Sequence, residues 1–98
     1  MSNFLYAIIW SNPETITEEK GSQASVAINS DGSFGIAVWH GCKSCLKYAI
    51  YEDGTWGEVQ SISDFKGIDP IVSLTADGSS GMIVYENDNK PHYMIFER

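Results

Sequence analysis

The chain has 98 residues, of which 43% are hydrophobic and 19% charged, with a net charge of −7. One domain accommodates that length, and the composition excludes an intrinsically disordered chain. The basic residues are scattered lysines and a single arginine, Arg98 at the end of the chain, so no cationic stripe exists for a nucleic-acid backbone.

No apolar run approaches the roughly 18 residues of a membrane span, and no membrane partner is expected. The opening "MSNFLYAIIWSNPE" has an apolar patch but no basic region before it and no small-residue cleavage site. A signal peptide is therefore not expected, and the location is read as cytoplasmic or unknown.

In chain order, short alternations of apolar and polar residues predict strands at 5–10, 15–19, 24–29, 35–40, 45–52, 58–63, 71–76, 82–86 and 92–97. Asp-Gly and Asn-Asp pairs punctuate them as tight turns, where glycine accepts a positive φ without a Cβ clash. No segment of ten or more residues carries a helical stripe. The expected fold class is all-β.

Two stretches recur. "VAINSDGS" from Val26 is echoed by "VSLTADGS" from Val72, and "GIAVW" from Gly35 by "GMIVY" from Gly81, both 46 residues on. "YAI"-like pieces recur more loosely at Tyr6, Tyr48 and Tyr93. A unit of this length with four short antiparallel strands fits one blade of a β-propeller. The chain then divides into two four-stranded blades, about 22–67 and 68–98 plus 1–21. Two blades close no ring and leave sheet edges open. Residues 15–19 can serve as the outer strand of a neighbour's last blade. The expectation is a cyclic homo-oligomer.

At "GIAVWHGCKSCLKYAIYEDGTWGEVQSIS" the chain resembles a blade of lectin-type and sialidase-type β-propellers. It is similar in plan to small fucose-binding propeller lectins, in which two blades per chain build six from a trimer. The resemblance implies a homotrimer and a glycan as partner. Those lectins use an arginine in the first of these strands, where Ala37 and Ile83 stand here, and a glutamate near Lys47 or Ala49; Trp56 matches their nearby tryptophan.

Ligand-binding candidates follow from the aromatics. Trp56 leaves the Asp53-Gly54 turn, where an indole offers a flat face to a sugar and Glu52 and Asp53 offer charged acceptors to hydroxyls. Trp39 and Tyr85, at matching repeat positions, read as packing between sheets or as further aromatic platforms.

In "WHGCKSC", Cys42 and Cys45 read first as plain hairpin thiols, with a loop disulfide or a three-ligand zinc site with His40 as the other readings. No metal and no cofactor is expected. No acid, base and nucleophile set converges, so no enzyme is expected. The first functional reading is a carbohydrate-binding, lectin-like module. The alternative is a self-assembling propeller fragment or engineered scaffold without a ligand.

Overall fold

The computed structural model describes residues 8–41, 45–62 and 66–98. Among them there is no helix, and the strands fall into two antiparallel sheets. The first holds β1 (Ser22–Ile28), β2 (Phe34–His40), β3 (Leu46–Glu52), β4 (Thr55–Trp56) and β5 (Gln60–Ser61). The second holds β6 (Ile68–Leu74), β7 (Ser80–Asn87) and β8 (Lys90–Glu97). The all-β expectation holds.

Strand order is β1-β2-β3 in one sheet and β6-β7-β8 in the other. β4 and β5 follow one another along the outer edge of β3: Trp56 lies opposite Tyr51, and Ser61 opposite Lys47. This short pair replaces the single strand expected at 58–63, of which residue 63 lies outside the described residues. Asp53 and Gly54, both at positive φ (51° and 85°), turn the chain so tightly that pairing resumes at once with Thr55. The second sheet has three strands, and among the described residues nothing pairs with the outer edge of β8.

The expected strand at 15–19 is absent. Those residues form bends and are mostly exposed. A strand exists only where its backbone pairs with another edge, and among the described residues none pairs with these, although they lie near the start of β1 and Trp39. Residues 8–10 form no strand either, and 5–7 lie outside the described residues.

Equivalent details recur in the two sheets. Each has a register shift in its first strand, between Ser22 and Ser25 and between Ile68 and Ile71. Within each irregularity one residue has a positive φ, Gln23 at 55° and Asp69 at 53°. These two positions face each other, for the Asp69 N–H donates to Gln23 Oε1 at 3.1 Å. The Val72 N–H likewise donates to Ser25 Oγ at 3.1 Å. β6 therefore lies against β1 and β2, and the two sheets are joined along their first strands.

The first turn of each sheet also has one design. Asp31 Oδ1 accepts from the Ser33 N–H (3.0 Å) and hydroxyl (2.7 Å), and Asp77 Oδ1 from those of Ser79 (3.0 and 2.8 Å). Gly32 and Gly78 take the positive φ that follows (79° and 76°). Such side-chain-to-backbone bonds are why Asp-Gly-Ser reads as a turn. They favour the ionised carboxylate. The Ser33 hydroxyl and N–H lower the Asp31 pKa; the N–H and hydroxyl of Ser79, with the Thr75 hydroxyl, take Asp77 from 3.8 to about 2.

A depressed folded-state pKa contributes stability above the unfolded value and loses it as pH falls through the folded one. Stability should therefore fall between pH 3.8 and about 2, and Asp77→Asn should flatten that limb. Urea midpoints measured across this range check it; an unchanged slope in the variant contradicts it.

Alternation along each strand sends neighbouring side chains to opposite faces. Val72, Ile83, Tyr85, Met94 and Phe96 of the second sheet meet Ala27, Ile36, Val38, Tyr48 and Ile50 of the first, around the 1% exposed Leu46. A smaller cluster of Ala37, Trp39 and Ala49 lies on the other face of the first sheet, with Trp56 and Val59 packed on it. The other face of the second sheet is apolar and open: Ile71, Met82, Val84, Tyr93 and Ile95 are all exposed.

Candidate functional site

The hairpin between β3 and β4 places the candidate side chains. Register puts Tyr51 opposite Trp56 and Glu52 opposite Thr55. The two rings lie 5.2 Å apart between centroids, tilted by 57°. That is a tilted pair within the favourable range of centroid separation. Thr55 Oγ1 donates to the Glu52 carbonyl at 3.1 Å and helps to close the turn. Trp56 is half-buried: one part of it packs on the Ala37, Trp39 and Ala49 cluster, and the rest reaches solvent.

Around this pair, Asp53 is exposed at the turn. Glu52 is engaged with the Arg98 guanidinium at 3.0 Å, and that guanidinium also lies 3.8 Å over the Phe34 ring. Arg98 thus ties the end of β8 to the start of β2 and the end of β3. Both charged side chains are about half exposed, so the ion pair adds little stability. Chemically, the turn offers two aromatic surfaces, one free carboxylate and one paired carboxylate.

Trp39 and Tyr85 are elsewhere. Both are core residues, 5% and 8% exposed. Their burial in this chain agrees with the packing reading of both rings and leaves neither with a face open to solvent here. The chain runs past the Trp39 indole at Gly21, where a Cβ would collide with the ring. Tyr85 stacks on His92, with centroids 5.5 Å apart. Sequence inspection missed Tyr51, whose place beside Trp56 depends on β4 folding back on β3. The Asp-Gly turn before Trp56 was the available signal.

The plain-thiol reading of the C-x-x-C pair is corrected. Cys45 is disulfide-bonded. Its carbonyl accepts from the Gly41 N–H at 2.8 Å, closing the connection between β2 and β3. Cys42, the other cysteine of the sequence, lies outside the described residues. A disulfide sulfur is no thiolate ligand, so Cys45 in this state does not support the zinc reading. Nearby, His40 Nε2 is buried and meets no hydrogen-bond partner among the described residues.

Among the described residues, no group of three or more His, Cys, Asp or Glu side chains could hold a metal ion. No helix among them is long and apolar enough to cross a membrane. A second feature is a cleft of about 340 Å³ between the sheets, walled by Ile36, Val38 and Tyr48 on one side and Ile83, Met94 and Phe96 on the other. Comparison with protein families, with curated proteins and with solved structures finds no match for this chain.

Proposed function

We propose that the chain is a carbohydrate-binding, lectin-like module: two β-propeller blades whose ring is completed by further copies, with a trimer as the preferred count. The observation that carries the ligand half is the Tyr51–Trp56 pair beside the acidic Glu52-Asp53 turn. Aromatic faces complement the C–H faces of a sugar, and carboxylates accept from its hydroxyls. The architectural half is supported by two antiparallel sheets whose bulges and turns recur at one spacing and which pack face to face. Several equal, weak sites on a ring raise avidity without new contacts. The proposed chemistry is non-catalytic binding.

A second reading, a self-assembling scaffold without a ligand, is favoured by the open apolar face of the second sheet. A glycan array separates the two. The first reading expects a bound glycan and a loss on the order of tenfold or more for Trp56→Ala, as for an aromatic at the centre of a contact. Because Trp56 also packs on the core, Asp53→Asn is the companion variant: it removes charge at an exposed turn where asparagine tolerates the positive φ. No binding by the parent chain, or unchanged binding by both folded variants, overturns the ligand reading.

A further inference from the structure

The open outer edge of β8 and the cleft beneath it have a matching occupant in the sequence. "WSNPETIT" from Trp10 stands 46 residues before "WGEVQSIS" from Trp56, the stretch that forms β4, β5 and the residues after them. Trp10 corresponds to Trp56, Thr15 to Ser61 and Ile16 to Ile62. In the first sheet that stretch covers the outer edge of β3 and lays Trp56 on the Ala37 and Ala49 cluster. In the second sheet the corresponding edge is bare, and the corresponding positions, Ile83 and Met94, line the cleft.

Residues 8–20 meanwhile form no strand in this chain, and Trp10 is 83% exposed. We propose that residues 10–17 of a second copy of this chain dock along β8 as the missing outer strand and insert Trp10 into the cleft. The proposal rests on the assembly half of the function proposed above and names the contact that makes it.

Its register follows from the first sheet. Phe34 faces Glu52 across β2 and β3, and Ser80 faces Glu97 across β7 and β8, which fixes the correspondence of β3 with β8. Tyr51 opposite Trp56 becomes Phe96 opposite Trp10 of the second copy, again an aromatic pair. Lys47 opposite Ser61 becomes His92 opposite Thr15. Tyr48, whose hydroxyl donates to Gln60 Oε1 at 3.3 Å, becomes Tyr93 donating to the Glu14 carboxylate.

The occupant is a second copy for a geometric reason. β5 leads directly on to β6, the first strand of the sheet whose inner face packs on the back of the first. By the same step, residues 10–17 lead into β1, so the sheet they complete precedes β1. In this chain the second sheet follows the first. The same docking lays the Trp39-bearing face of the incoming copy on the open face of Met82, Val84 and Tyr93.

The test is a Thr15→Cys/His92→Cys chain, oxidised and run on a non-reducing gel, beside sedimentation of the parent chain and of Trp10→Ala. All three positions are exposed, so the single-chain fold is expected to survive, and circular dichroism checks that. The expected result is a chain-to-chain cross-link given by the double variant and by neither single one. Association of Trp10→Ala should be weaker by more than about tenfold, as for loss of a buried tryptophan anchor. A cross-link formed only within one chain overturns the assignment to a second copy. An oligomer that gives no cross-link and is unchanged by Trp10→Ala overturns the docking but leaves assembly standing. A parent chain that sediments as a monomer overturns both.

Discussion

Leu46→Ala should lower the unfolding free energy by about 2–5 kcal/mol, the range for a buried leucine truncated in a core that cannot fully collapse. Leu46 is 1% exposed and begins β3 at the junction of the two sheets. Its side chain packs in the main core, and a Cβ on Gly67 would come within 3.0 Å of its Cδ1. Gly67 thus brings the chain entering β6 tightly down onto the leucine. The Leu46 carbonyl also accepts from the Ile62 N–H at 3.0 Å, where the chain leaves β5.

The backbone around the cavity is therefore pinned on two sides and has little freedom to fill it. A domain of this size has only about 5–15 kcal/mol of stability in total, so the variant sits near the threshold of folding. Urea unfolding measures the effect as a shifted midpoint at constant slope. A loss below about 1 kcal/mol would show that Leu46 does not hold the sheets together.

Gly81→Ala should be the second large loss, toward the upper end of the roughly 1–3 kcal/mol that overpacking costs. A Cβ at Gly81 would run into the carbonyl oxygen of Ser73 and into the Phe96 ring. Phe96 lies directly opposite on β8, and Leu74, next to Ser73, opposite on β6. The ring covers the glycine, and the carbonyl belongs to the neighbouring strand, so neither retreats without disturbing the sheet.

Gly35, at the matching place in the first sheet, supplies the comparison. There the nearest atom is the Ala27 carbonyl oxygen at 3.0 Å, and the residue opposite is Tyr51. Gly35→Ala should cost clearly less. Thermal unfolding of the two variants side by side decides it, and equal losses would refute the steric account.

Much of the first sheet and the second was legible because strand signals are local. "GIAVW" and "GMIVY" alternate and stand after Asp-Gly turns, and β2 and β7 lie where those patterns place them. The turn aspartates behave as their sequence context implies, each binding the serine two residues on. The N-terminal strands did not follow from the same signals. Residues 15–19 have strand-like composition, but composition supplies no partner edge. The candidate site was half legible: the Asp-Gly turn pointed to Trp56, whereas Tyr51 joined it only through cross-strand register.

The strand-and-turn class and the positions of the tight turns follow from side chains only a few residues apart, and the 46-residue spacing from the likeness of two such stretches. The tertiary structure decided which aromatic rings are available. Trp39 and Tyr85 look like Trp56 in sequence, yet they are enclosed, Tyr85 between the two sheets and Trp39 beneath the chain at Gly21 and beside Trp56 and Val59, whereas Trp56 sits at an outer edge. It also decided the state of Cys45 and the bare edge of β8. Burial and edge coverage are relations between segments distant in the chain, and alternation within one segment carries no information about what arrives from another.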